Sequence, residues 1–141
     1  MISLPLLPIS TPTLLLYAIA AAAALVYLPF MVVVYGRVQA GFDLASPRAL
    51  FDKLPAYAQR ATWAHENAFE SFVLFAAAAL MAYVTSQQSA VAGWAAIAYV
   101  TARLLYPLFY ILNVPIGRSL MFATGSLSIA TLIGLSLLTV N

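Results

Sequence analysis

The chain has 141 residues, of which 65% are hydrophobic and 7% charged; soluble globular domains carry about 25% charged residues, so this is the composition of an integral membrane protein. Six Lys and Arg against four Asp and Glu leave a net charge of +2, with no basic run of the kind that neutralises phosphates, which excludes nucleic acid as a partner. Cysteine is absent, so disulfides, thiolate nucleophiles of the chain itself and Cys-ligated metals are excluded.

Met1 to Thr11 has no Lys or Arg ahead of its apolar run and no small-residue cleavage pattern, so no removable signal peptide is expected. Four apolar segments follow, each long enough for a hydrocarbon core that needs about 20 helical residues. They are expected near Thr13 to Tyr35, Ala61 to Val84, Ala90 to Leu112, and Ser119 to Val140. The first connector, residues 36–60, is the longest polar stretch and carries Arg37, Arg48, Lys53 and Arg60 against Asp43 and Asp52. The second, Thr85 to Ser89, is short and uncharged, and the third, Asn113 to Arg118, is rich in helix breakers. Basic charge concentrated in the first and third connectors places them in the cytoplasm and both termini on the far side. The expectation is a single domain over 1–141, an all-α integral membrane four-helix bundle, and the alanine-rich composition points to a bacterial inner membrane.

The alanine runs Ala20 to Ala24 and Ala76 to Ala79, and Ser126, Ala130 and Gly134 at four-residue spacing, offer flat helix surfaces. Such surfaces favour close helix packing and self-association within lipid.

An ionisable side chain in hydrocarbon costs about 2.5 to 3.5 kcal/mol even on lenient insertion scales, so it is retained for a partner or a task. The second span opens with Arg60, His65, Glu66, Asn67 and Glu70, and the third carries Arg103. Counting about 1.5 Å of rise per residue from the connector end sets Glu70 opposite Arg103, Asn67 opposite Tyr106, and Trp63 opposite Tyr110. Trp63, Asn67 and Glu70 share one helical face by three-or-four spacing, and so do Arg103, Tyr106 and Tyr110. A polar cleft is therefore expected between the second and third helices of one chain, or of neighbouring subunits. Glu70 and Arg103 form either a structural ion pair or part of a ligand site. The lone His65 has no second ligand, so no metal site is expected, and Glu66 is expected to point away from the face of Trp63, Asn67 and Glu70, turned about 100° from Asn67.

The stretch Ala64-His65-Glu66-Asn67-Ala68-Phe69-Glu70, preceded by Arg60, with Arg103-Leu104-Leu105-Tyr106 and Tyr110 on the third span, resembles the MAPEG family. These are the membrane-associated proteins of eicosanoid and glutathione metabolism, which include microsomal glutathione transferases. The resemblance implies a homotrimer that binds glutathione at subunit interfaces on the cytoplasmic side. It implies that Arg60, Asn67, Glu70, Arg103, Tyr106 and Tyr110 hold glutathione and that Arg118 activates its thiol. It further implies a transferase or peroxidase acting on a hydrophobic small molecule, either an electrophile or a lipid hydroperoxide, that enters from the bilayer. Two departures stand out: Trp63 where conjugating members carry a basic residue, and Ser71 where eicosanoid-type members carry tyrosine. Trp63 and the thin basic complement favour the competing reading of a non-catalytic bundle that binds lipid or quinone, or of an accessory subunit in a larger membrane complex, whereas the depth-matched polar faces favour the transferase or peroxidase.

Overall fold

A computed structural model describes residues 9–140, so the segment Met1–Pro8, on which most of the signal-peptide expectation rests, lies outside it. Four helices account for most of the described chain: α1 (Thr11–Gln39), α2 (Ala56–Val84), α3 (Ala90–Ile111) and α4 (Pro115–Val140). A 3-10 helix, Pro47–Lys53, interrupts the connector between α1 and α2. All four α-helices are long and apolar enough to cross a membrane, and no strand occurs among the described residues. The chain is an integral multi-pass membrane protein with a four-helix bundle.

Local chemistry explains the boundaries. Pro12 sits in the first turn of α1, where its missing N–H costs nothing. α2 begins at Ala56, five residues before the hydropathic onset at Ala61, because Pro55 directly precedes it and polar residues such as Gln59 and Arg60 are good helix formers outside the apolar window. Both tight turns end a helix in the same way. Ser86 and Asn113 adopt left-handed backbone with φ of 56° and 58°. The N–H of the next residue then bonds back to the carbonyl five residues earlier, Gln87 to Ala82 and Val114 to Phe109. This double closure satisfies the orphan carbonyls that every helix end leaves. Pro115 follows the second turn and starts α4, and the hydroxyl of Ser89 accepts the Ala92 N–H at the start of α3.

The main buried apolar cluster lies at the end remote from the long connector. The buried cluster there is Leu15, Ala18 and Ala22 of α1, Phe75, Ala78, Ala79 and Ala82 of α2, Ala92, Ala95, Ala96 and Tyr99 of α3, and Leu132 of α4. Alanines let backbones approach, and packing then supplies the attraction that the hydrophobic effect cannot supply in lipid. A polar clasp closes the same end. Gln87 donates through Nε2 to the Leu135 carbonyl and to Thr139 Oγ1, and Thr11 Oγ1 donates to the Ser89 carbonyl. At the connector end, a close approach occurs where Gly36 faces Ala58, and an added Cβ on Gly36 would overlap the Ala58 Cβ. The polar residues that define the site occupy this second half of the bundle.

The expected small-residue stripe on α4 faces away from its own chain: Ser126 and Ala130 are exposed, and an added Cβ at Gly134 meets nothing within 4 Å. The inward stripe of α4 is instead Gly125, Ser128, Leu132 and Ser136.

Candidate functional site

α3 organises the site. Tyr99, Arg103, Tyr106 and Tyr110 follow four-, three- and four-residue steps and so form one stripe along the helix. Arg103 is 5% exposed, and its Nη2 donates both to the Asn67 carbonyl at 3.0 Å and to Asn67 Oδ1 at 2.9 Å. Charge-assisted hydrogen bonds of this kind are the usual condition for a guanidinium to remain inside a spanning segment. Its carbon also lies 4.5 Å from the ring centroid of Tyr106, which is 4% exposed. The Tyr106 ring meets Tyr110 edge-on at 5.6 Å, and Arg118 of α4 covers Tyr110 at 4.7 Å. A continuous ladder therefore runs Asn67, Arg103, Tyr106, Tyr110, Arg118, each step a hydrogen bond, a cation–π contact or a ring contact. A pocket of about 270 Å³ opens on its outer end, between Tyr106, Tyr110, Arg118, Ser119 and Phe122.

The structure corrects the expected pairing of Glu70 with Arg103 within one chain. No ion pair joins these two among the described residues; Arg103 is bound to Asn67, one turn nearer the connector. Asn67 accordingly bonds to Arg103, not to the Tyr106 that rise alone sets opposite it, and Arg60 donates from Nε to the carbonyl of Ile111 at 2.9 Å. The physical reason is side-chain reach. Counting rise along a helix places Cα atoms, whereas a long side chain spans a full turn of its neighbour. Tyr99 shows this directly, because its ring stacks on Phe75 at 3.7 Å and 2° while its hydroxyl sits 3.1 Å from Ser71 Oγ, four residues away on α2.

Arg60 has a local role. The Ile111 carbonyl would otherwise look toward Pro115, which has no N–H to offer, so the guanidinium completes the end of α3 and complements its dipole. Arg60 thus lies at the connector end of the cleft with its Nε already engaged. Trp63 does not join the ladder. It is 44% exposed and packs on Phe51 of the 3-10 helix at 5.7 Å.

Glu70 lies fourteen residues from either end of α2, at the middle of the helix, and is exposed on the surface of its own chain. It also lines a second, larger cleft of about 690 Å³ between α1, the 3-10 helix and α2. Arg37 and Arg48 stand in that cleft with Thr62, His65, Glu66 and Glu70, among the aromatic rings of Phe30, Phe51 and Phe69. The Nε of Arg37 is buried without a hydrogen-bond partner among the described residues. Sequence reasoning missed this cleft, and it missed the buried phenol of Tyr99, although Tyr99 follows from the same spacing that singles out Arg103 and Tyr106. No group of three His, Cys, Asp or Glu that could hold a metal occurs among the described residues.

Residues 14–138, nearly the whole chain, match the MAPEG family. No curated protein and no solved structure matches the chain.

Proposed function

The chain belongs to the MAPEG family, and from that premise we propose that it is a glutathione-dependent transferase or peroxidase acting on hydrophobic electrophiles or lipid hydroperoxides, built as a homotrimer with its sites at subunit boundaries. The observation that carries this reading is Glu70, a carboxylate at the midpoint of a 29-residue spanning helix with no ion pair among the described residues. A carboxylate at that depth costs several kcal/mol unless something outside the chain meets it. The ammonium of glutathione supplies the charge, and a neighbouring subunit encloses it.

The other groups fit the same ligand. Arg103 uses only Nη2 on Asn67, which leaves the N–H groups on Nε and Nη1 for a carboxylate. Arg118 lines the small pocket and covers the Tyr110 ring, and in this reading it favours thiolate over thiol. A guanidinium nearby lowers a thiol pKa that starts near about 8.5, which raises the fraction of nucleophile at neutral pH. Arg60 marks the cytoplasmic mouth, the connector 36–60 faces the cytoplasm of a bacterial inner membrane, and the electrophile approaches from lipid.

One observation favours the second reading, a non-catalytic bundle that binds lipid or quinone or serves as an accessory subunit. Trp63 brings an indole packed on Phe51 instead of a cation, and Arg60 has already given its Nε to Ile111. A deciding experiment mixes purified protein with glutathione and follows the ultraviolet thiolate band, with native mass spectrometry for subunit number. The expected result is a band in a trimer, lost in Arg118→Ala with the trimer intact. No band at any attainable glutathione concentration sinks the catalytic reading and leaves the lipid or quinone bundle.

A further inference from the structure

Charged groups without partners are concentrated in the larger cleft, between α1, the 3-10 helix and α2. Arg37 is the clearest case. Its Nε is buried with no hydrogen bond, and its Nη1 and Nη2 have none either among the described residues. Those two nitrogens are not among the atoms buried without a partner, so they present their N–H groups to open space, and the space that Arg37 lines is the cleft. Arg48, exposed on the 3-10 helix, lines the same space and makes no hydrogen bond or ion pair among the described residues. A guanidinium is a fixed set of N–H donors that stays charged at physiological pH, so two of them without acceptors in one cleft call for an anion.

Depth says which anion. The apolar run of α1 stops at Tyr35, and Arg37 follows in the last turn. With 29 residues the helix is about 44 Å long, against a hydrocarbon core of about 30 Å, so this end reaches the headgroup layer on the connector side. The phosphates of that leaflet lie at the same level. Phe30 and Val33 of α1 and Phe51 of the 3-10 helix make the neighbouring wall apolar, which suits glycerol and the first methylenes of an acyl chain. An amphiphile with a phosphate head uses both parts of the cleft, whereas a small free anion uses one.

Two glutamates line the opposite end. Gly36 packs on Ala58, and His65 Nδ1 donates to the Val26 carbonyl, so α1 and α2 run antiparallel with Arg37 level with Tyr57. Glu66 and Glu70 lie nine and thirteen residues deeper along α2, about 14 and 20 Å by helical rise. No ion pair joins either glutamate to either arginine among the described residues. The mouth is cationic and the floor acidic. A zwitterionic headgroup carries its ammonium on the water side of its phosphate, where the lining of the mouth offers arginine and no carboxylate. A headgroup without a cation avoids that repulsion.

We propose that this cleft binds one net-negative glycerophospholipid of the connector-side leaflet, with Arg37 and Arg48 on its phosphate and an acyl chain against Phe30 and Phe51. Basic pockets beside spanning helices select anionic lipids in this way. The site is separate from the glutathione reading, which uses the Glu70 end, and stands whether or not that reading holds.

The test is native mass spectrometry of the full chain in detergent, titrated with phosphatidylglycerol, with phosphatidylethanolamine of the same acyl chains, and with glycerol 3-phosphate. The expected result is one phosphatidylglycerol per chain, bound about tenfold or more tightly than phosphatidylethanolamine, the scale of one hydrogen bond to a charged group. Arg37→Gln and Arg48→Gln each reduce the preference and the double variant abolishes it. Lys53→Gln removes a cation of the same 3-10 helix that does not line the cleft, and leaves the preference unchanged. Glycerol 3-phosphate does not compete. Thermal unfolding without added lipid shows which variants fold, and Arg48→Gln, at an exposed position, carries the test if Arg37→Gln does not fold. Equal affinity for the two lipids in the wild type, or an undiminished preference in the folded variants, overturns the site. Displacement of the lipid by glycerol 3-phosphate means a site for soluble phosphates and overturns the lipid as its occupant.

Discussion

The bond between Arg103 and Asn67 makes the sharpest energetic prediction. Asn67→Ala removes Oδ1, one of the two acceptors of the guanidinium, and leaves the backbone carbonyl. A hydrogen bond to a charged group contributes about 1.5 to 3 kcal/mol in soluble proteins. Cycles within membrane proteins average about 0.6 and reach about 1.7, because the unfolded chain in lipid also finds partners. A charged donor at 5% exposure belongs at the upper end, so Asn67→Ala is expected to cost about 1 to 2 kcal/mol. Arg103→Leu removes the charge together with its desolvation cost, and so destabilises less than the loss of its bonds alone suggests. In that background Asn67→Ala should cost almost nothing. Reversible unfolding in mixed detergent micelles measures all four corners of the cycle. An equal cost of Asn67→Ala with and without Arg103 would refute the bond. The same cycle run with Glu70→Gln and Arg103→Leu should be additive in a monomer, since those two residues form no ion pair in one chain.

Gly36→Ala should destabilise despite the better helix propensity of alanine. Overpacking of about 1 to 3 kcal/mol against Ala58 exceeds a propensity gain of about 1, and the double variant Gly36→Ala, Ala58→Gly should recover the loss in the same unfolding assay. Tyr99→Phe and Ser71→Ala should each cost about 0.6 kcal/mol and no more together, because both remove one hydrogen bond and leave the stack on Phe75; additive costs would show that the hydroxyls do not meet.

The fold was legible because the bilayer simplifies the problem. A spanning segment must satisfy its own backbone, so hydropathy alone delivers helices and their number. What hydropathy could not give was the start of α2, since Ala56 to Arg60 are helical through propensity and not through apolarity. Within the site, the α3 stripe of Arg103, Tyr106 and Tyr110 was readable from spacing. The separation of Glu70 from Arg103 was not. Asn67 and Glu70, three residues apart, differ by about 60° around the helix. That difference passes for one face in a sequence pattern, but α3 covers a narrower arc of α2 where the two pack. Asn67 falls inside that arc beside Arg103, and Glu70 falls outside it, on the surface.

That 60° has a functional consequence. Had Glu70 met Arg103, the two charges would have cancelled inside one chain and the cleft would have needed no ligand. With Asn67 in that place, the guanidinium is held by neutral acceptors that leave its charge intact, and the carboxylate is left facing outward. The chain thus keeps a cation and an anion apart on adjoining faces of one helix pair, each costly in lipid and neither neutralised by the other. Meanwhile the alanine-packed far half, closed by Gln87, carries the stability that lets the other half stay open. A purely structural bundle gains nothing from that arrangement. The function proposed above gives it a use: carboxylates of a zwitterion at arginine and its ammonium at glutamate.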